Sequence, residues 1–164
     1  MMPLDGYAVV LDITPDDSAY DEQGHINNVE VLKLFETLRR HYIFQTGKLR
    51  RQHLGEGLVV GVREMVCSYV TEAYPGEALV GGCRVVGRSE RSYLFDEIVV
   101  AADTHRVAAD THRVVARARV LECVIDRELG KSISIPPAFW SMIEKVEGRA
   151  MLPGPLPFPR TDWG

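Results

Sequence analysis

The spacing of apolar side chains changes character along the chain. Tyr7, Val9, Leu11 and Ile13 recur at every second position, the period of a strand with one buried face, and predict a first strand over 6–13. Residues 14–28 are largely polar and include a glycine. Val31, Leu34, Leu38 and Tyr42, with Phe35 beside them, then step by three and four up to Gly47, which predicts one long amphipathic helix. Asn27 stands where its N-cap belongs, and Glu30 follows at the capping-box distance. Glu36 is expected to pair on the helix surface with Arg40, one turn on, or with Arg39, which favours a structural role for it.

From Leu58 onward β-branched and apolar runs over 58–70, 78–87, 92–101 and 114–126 read as four strands. Pro75-Gly76 and the stretches 87–91 and 127–130 supply the turns. Strands this close together, with no helix between them, pair antiparallel, so the fold class is α+β. A short helix is predicted over 136–146. Pro153, Pro155, Pro157 and Pro159 then alternate in a segment expected to be extended or mobile. The organisation read from this is a single domain over 1–150 and a proline-rich tail over 151–164.

Val100-Ala-Ala-Asp-Thr-His-Arg is followed at once by an identical copy that begins at Val107. Seven is odd, so an extra copy within a strand would turn every later side chain to the opposite face. The copy is therefore expected in a hairpin loop or bulge, with His105 and His112 as loop residues. Copying a segment repeats its histidines without selecting them as ligands, and the pair is not read as a metal site.

The chain has 164 residues, enough for one core. Its 46% apolar and 26% charged side chains exclude collagen-like, disordered and disulfide-scaffold classes. A formal net charge of −4 gives no global support for binding nucleic acid or an anionic membrane, and neither is expected as a partner. Cys67, Cys83 and Cys123 stand far apart, without a Cys-x-x-Cys pair, and read as buried free thiols of a reducing compartment. The first residues lack a basic stretch ahead of an apolar run, and no apolar run reaches transmembrane length, so a cytoplasmic protein is expected.

The richest stretch for chemistry is Tyr20-Asp21-Glu22-Gln23-Gly24-His25-Ile26-Asn27-Asn28, between the first strand and the helix. Free N–H groups at a helix start carry partial positive charge and can hold a developing oxyanion. Glycine at 24 permits close approach of a substrate carbonyl to the backbone, and Asp21 is placed to attack that carbonyl or to activate a water.

Asp21-x-x-Gly24-His25-Ile26-Asn27-Asn28, continued by Phe35-Glu36-x-x-Arg39, resembles the 4-hydroxybenzoyl-CoA thioesterase-like branch of the hotdog superfamily. The likeness runs on through 59–68, Tyr74-Pro75-Gly76-Glu77, Gly87-Arg88-Ser89, Cys123-Val124-Ile125-Asp126-Arg127 and Ile135-Pro136. It implies an antiparallel sheet wrapped around a long central helix, in homodimers or homotetramers with active sites between subunits. It also implies hydrolysis of an acyl-CoA or acyl-carrier-protein thioester, with no cofactor. Asp21 would be the nucleophile or general base, backbone N–H groups of Gly24, His25 and Ile26 would polarise the carbonyl, and the His25 side chain would orient the loop or the substrate. Asn27 and Asn28 are caps first and substrate contacts second.

Coenzyme A brings phosphates, and Arg84, Arg88 and Arg91, with Ser89, gather around the turn at Gly87, where arginine forks could hold them or simply form a solvated face. Two departures stand out: Val31 replaces a tyrosine common in the family, and the tandem repeat is foreign to it. Two other readings use the same residues: a non-catalytic acyl-CoA-binding module, and a hotdog dehydratase with His25 as base.

Overall fold

The computed structural model describes residues 3–49, 54–102, 112–156 and 158. Strands β1 (Val9–Ile13), β2 (Leu58–Tyr69), β3 (Leu79–Arg88), β4 (Ser92–Ala102), β5 (His112–Asp126) and β6 (Lys131–Ser132) accompany helices α1 (Asn28–Arg40) and α2 (Pro137–Glu147). The strands form one antiparallel sheet in the order β1-β3-β4-β5-β2, with β6 on β5. The class is α+β, as the sequence implies. Among the described residues no helix is long and apolar enough to cross a membrane.

The predicted stripe of α1 does face the core: Val31, Phe35 and Leu38 are buried, as is Tyr42 just beyond the helix, and the helix lies on β1, β3 and β4. Gly81 allows this approach, because a Cβ there would sit 2.7 Å from both Ile13 Cδ1 and Leu38 Cδ2. The helical path continues past Arg40 as a wider turn over His41–Thr46, and Gly47 N–H reaches back to the Tyr42 carbonyl at 2.8 Å. β1 begins only at Val9, and the two-residue β6 went unforeseen, since Lys131 and Ser132 carry no strand pattern.

The outer pairing expected on α1 is not formed. Arg40 instead lies over the Phe44 ring, 5.9 Å from its centroid, and Glu36 is exposed. Arg39 turns inward. Its Nη1 meets Glu97 Oε2 at 2.6 Å and its Nε meets Glu122 Oε1 at 2.9 Å, while Tyr93 donates its hydroxyl to Glu122 Oε2 at 2.8 Å. All four side chains are buried.

One cation thus faces two carboxylates away from water. Burial pushes the Glu97 carboxyl up from 4.5 to about 8, against the pull of Arg39, and Glu122 is raised for the same reason. Glu97 Oε1 is buried with no hydrogen-bond partner among the described residues. The balanced state is an ionised Arg39–Glu122 pair beside a protonated Glu97. The folded chain then keeps a proton that the unfolded chain releases near pH 4.5, so this contribution is complete below that pH and is lost as pH rises through about 8. Melting temperatures measured from mildly acidic to mildly alkaline buffer are expected to fall with pH in the native protein and to fall less steeply in Glu97→Gln. Parallel slopes would remove Glu97 as the source.

The described part of the tail is fastened to the domain along β3. Arg88 Nε donates to the Met151 carbonyl, Gly154 N–H donates to the Arg88 carbonyl at 2.9 Å, and Met151 is buried. The α2 carboxylate of Glu147 accepts from both the Tyr42 hydroxyl and the Val85 amide at 2.7 Å, which ties that helix to α1's extension and to β3.

The repeat sits at the β4–β5 hairpin. Val100, Ala101 and Ala102 of the first copy pair with Val114, Arg113 and His112, the last two belonging to the second copy. A register shift at Val99/Val100 leaves Val115 as the extra residue. His112 opens β5 rather than lying in a loop, because the ladder runs out to Ala102. The connecting residues, including His105, lie outside the described residues.

Candidate active site

The segment after β1 passes through a 3-10 turn at Asp17–Ala19 and closes a tight loop on itself. Asp21 N–H donates to the His25 carbonyl at 3.0 Å and Gly24 N–H to the Asp21 carbonyl at 2.9 Å. Gly24 has φ +82°, a conformation in which a side chain is strained, which explains a glycine at that position. The loop is moored at both ends: Ile26 N–H donates to the Ala73 carbonyl and Asn27 N–H to the Ala19 carbonyl, each at 2.8 Å. Asn27 caps α1 as expected, its Oδ1 accepting from Val29 N–H at 2.8 Å. Glu30 does not complete a capping box; it pairs with Lys33 at 2.6 Å, since Asn27 N–H is already taken by Ala19.

This closure turns Asp21 and His25 toward each other. Asp21 Oδ1 accepts from Gln23 N–H at 2.9 Å, Asp21 Oδ2 lies 3.2 Å from His25 Nδ1, and His25 Nε2 lies 3.0 Å from Gln23 Oε1. Both side chains are about a quarter exposed, at 27% for Asp21 and 23% for His25. They border a cavity of about 310 Å³ with Ile26, Val31, Val70 and Val115 as its apolar lining and Tyr69, Thr71 and Glu72 along its β2 side. Tyr69 donates its hydroxyl to the Asn28 carbonyl at 3.3 Å, joining the end of β2 to the first turn of α1.

The amides divide differently from the sequence expectation. Those of Gly24 and Ile26 are spent on the Asp21 and Ala73 carbonyls. Among the described residues nothing accepts from the His25 amide, nor from that of Asn28, the first residue of α1, which also borders the cavity. Asp21, the two residues with unspent amides and an apolar recess therefore border one opening. That set can hold an acyl group, stabilise negative charge on its carbonyl oxygen and attack its carbon directly or through water.

The arginine group does not join this site within one chain. Tyr69 pairs with Ala116, Ala116 with Val99, and Val99 with Gly81, so the cavity lies level with Gly81. Arg88 is seven positions further along β3, about 20 Å away. Its guanidinium stacks 4.3 Å from the Trp140 centroid, and Arg84 places Nε and Nη2 on Asp96 Oδ2 at 2.9 and 2.7 Å. Ser89 closes the β3–β4 turn against Ser92, and Arg91 is exposed beside it. Within the chain, Arg84 and Arg88 are engaged by packing and pairing.

Tyr69, Thr71, Glu72 and Val115 were not singled out by the sequence, because only the fold brings the ends of β2 and β5 to the loop, and Gln23 was passed over because its contacts with Asp21 and His25 depend on how the loop closes. Arg113 adds a support: it donates to Thr71 Oγ1 at 3.2 Å, to the Glu72 carbonyl and to Glu77. A second cavity, about 580 Å³, opens at the other end of α1 and the start of β2, between Glu36, Arg40, Phe44, Leu58, Val62 and Arg127. No group of three or more metal-ligating side chains is assembled among the described residues.

Residues 14–143 match the family model described as the thioesterase-like superfamily. A search of curated proteins finds none with a matching sequence. Among solved structures, a thioesterase from Thermus thermophilus, complexed with coenzyme A and Zn, is 22% identical, with a TM-score of 0.72, over 90% of this chain and 99% of that one. A 1,4-dihydroxy-2-naphthoyl-CoA thioesterase from Synechocystis is 15% identical over 82% and 93%, with a TM-score of 0.69. A 4-hydroxybenzoyl-CoA thioesterase variant complexed with 4-hydroxybenzoyl-CoA is 14% identical over 82% and 97%, with a TM-score of 0.72. At these identities the likeness is one of fold, the hotdog arrangement of sheet and central helix.

Proposed function

Because this chain belongs to the thioesterase-like superfamily, we propose that it hydrolyses an acyl-CoA or acyl-carrier-protein thioester to free acid and thiol at the cavity beside Asp21. The observation that carries this reading is that Asp21 and the two residues with unspent amides, His25 and Asn28, border one opening. The thioester carbonyl oxygen sits against those amides and the acyl group enters the Ile26, Val31, Val70 and Val115 recess. Asp21 then acts in one of two ways. Its oxygen bonds to the carbonyl carbon, the C–S bond breaks to release thiolate, and water cleaves the acyl-aspartyl anhydride; or it takes a proton from water, which attacks the carbon itself.

The test is thiol release from a panel of aromatic, short branched and fatty acyl-CoA and acyl-carrier-protein thioesters. Release from at least one class is expected. Binding without release would select the non-catalytic module, and water loss without thiol release the dehydratase.

We further infer a homo-oligomer built on β2. This strand is twelve residues long and lies at the sheet edge, and Val62, Tyr69 and Val70 at or next to it are each about half exposed. A two-fold pairing of β2 edges runs antiparallel, which sets the Asp21 cavity of one protomer next to the 580 Å³ cavity of its partner. Light scattering is expected to give a dimer or a multiple of it, and Val66→Pro on β2 to shift the mass toward monomer. A native protein that remains monomeric at micromolar concentration would rule the pairing out.

A further inference from the structure

The hydrolytic scheme leaves the side chains of Gln23 and His25, beside Asp21, without a task. Gln23 holds Asp21 Oδ1 through its backbone N–H, and its side-chain Oε1 faces His25 Nε2, while His25 Nδ1 faces Asp21 Oδ2. The contacts thus close a ring of three residues around the carboxylate. We propose that Gln23 and His25 are positioning residues that act through Asp21, an inference that rests on the hydrolytic reading above.

An aspartate on a partly exposed loop turns freely about its terminal torsion, which has broad two-fold wells. Two donors, one on each oxygen, fix the carboxylate plane. The backbone donor from Gln23 is built into the turn, but the donor at Oδ2 exists only while His25 keeps a hydrogen on Nδ1. Which ring nitrogen carries hydrogen is set by what the other nitrogen meets. A glutamine amide suits that task because one end accepts and the other donates. With Oε1 toward Nε2 it accepts from a ring protonated on both nitrogens. Turned over, its NH₂ donates to a bare Nε2. In either case Nδ1 keeps its hydrogen on Asp21. Glutamate or leucine at 23 offers only one of these options or neither.

The proposal predicts a chain of dependence that simple structural support does not. His25→Leu is expected to lower kcat roughly tenfold to a hundredfold, the range for removing an orienting partner of a site, with KM within about twofold. His25→Asn, whose amide N–H can replace Nδ1–H, should recover most of that loss. Gln23→Leu should lower kcat severalfold in the native background and leave it unchanged in the His25→Leu background, because its side chain acts only through the ring. Kinetics on thiol release, with melting curves to confirm folding, decide the matter. Equal Gln23→Leu losses in both backgrounds, or no recovery in His25→Asn, would overturn the relay. Full turnover in Asp21→Asn would instead remove Asp21 from the chemistry, the part of the hydrolytic reading on which the relay depends, and absence of thiol release from the native protein would overturn that reading itself.

Discussion

Asp21→Asn is expected to lower kcat for thiol release by about 10²–10⁴-fold, the range for loss of a positioned base, while the protein stays folded and binds thioester with little change. The amide matches the carboxylate in shape and retains an oxygen for Gln23 N–H, so the turn closed by the Asp21, Gly24 and His25 backbone survives. What disappears is the negative charge that attacks carbon or draws a proton from water. The His25 and Asn28 amides remain to hold the carbonyl, so residual turnover and an intact KM are part of the same expectation. Calorimetric binding beside steady-state kinetics separates the two effects. Unchanged kcat would move the chemistry to another group.

Arg39→Met carries the largest expected effect on stability. It leaves Glu97 and Glu122 buried with no cation between them, and stripping one partner from a buried charge cluster costs about 3–5 kcal/mol. For a domain of this size each kcal/mol shifts the melting temperature by about 2–4 °C, so a loss on the order of 10 °C is expected by scanning calorimetry. Replacing all three, with Glu97→Gln and Glu122→Gln added, should restore much of it, because the cost comes from the uncompensated carboxyls rather than from the lost methylenes. A single-variant loss below about 1 kcal/mol would mean that water reaches the cluster.

Sequence pattern served well wherever one residue's surroundings come from its near neighbours. The α1 stripe, the Asn27 cap and the antiparallel pairing of the strands follow from local period and turn chemistry. The misses share one cause, contact between elements distant in the chain. Arg39 looks like a surface residue until Glu97 and Glu122, from two different strands, are brought beneath it. Arg84 and Arg88 read equally as phosphate forks or as a solvated face, and their contacts with Asp96, Trp140 and Met151 were not foreseen. At the candidate site the loop half, Asp21 to Asn28, was legible, while the β2 half, Tyr69 to Glu72, was not, because register across β5 decides where that strand ends.

The duplicated heptad at the β4–β5 turn makes this hairpin a length-tolerant joint. Removing either copy yields the same sequence, in which Asp-Thr alone links Ala102 to a His-Arg pair identical to the one that now opens β5. A link shortened from nine residues to two has the commonest hairpin-loop length, so the ladder can end on the same pair. Arg113, which steadies Thr71 and Glu72 at the cavity rim, would have an arginine in its place on either version of the chain. Gene slippage here alters contour without altering register, and the joint offers a graft point for a foreign peptide that leaves the ladders on both sides in step.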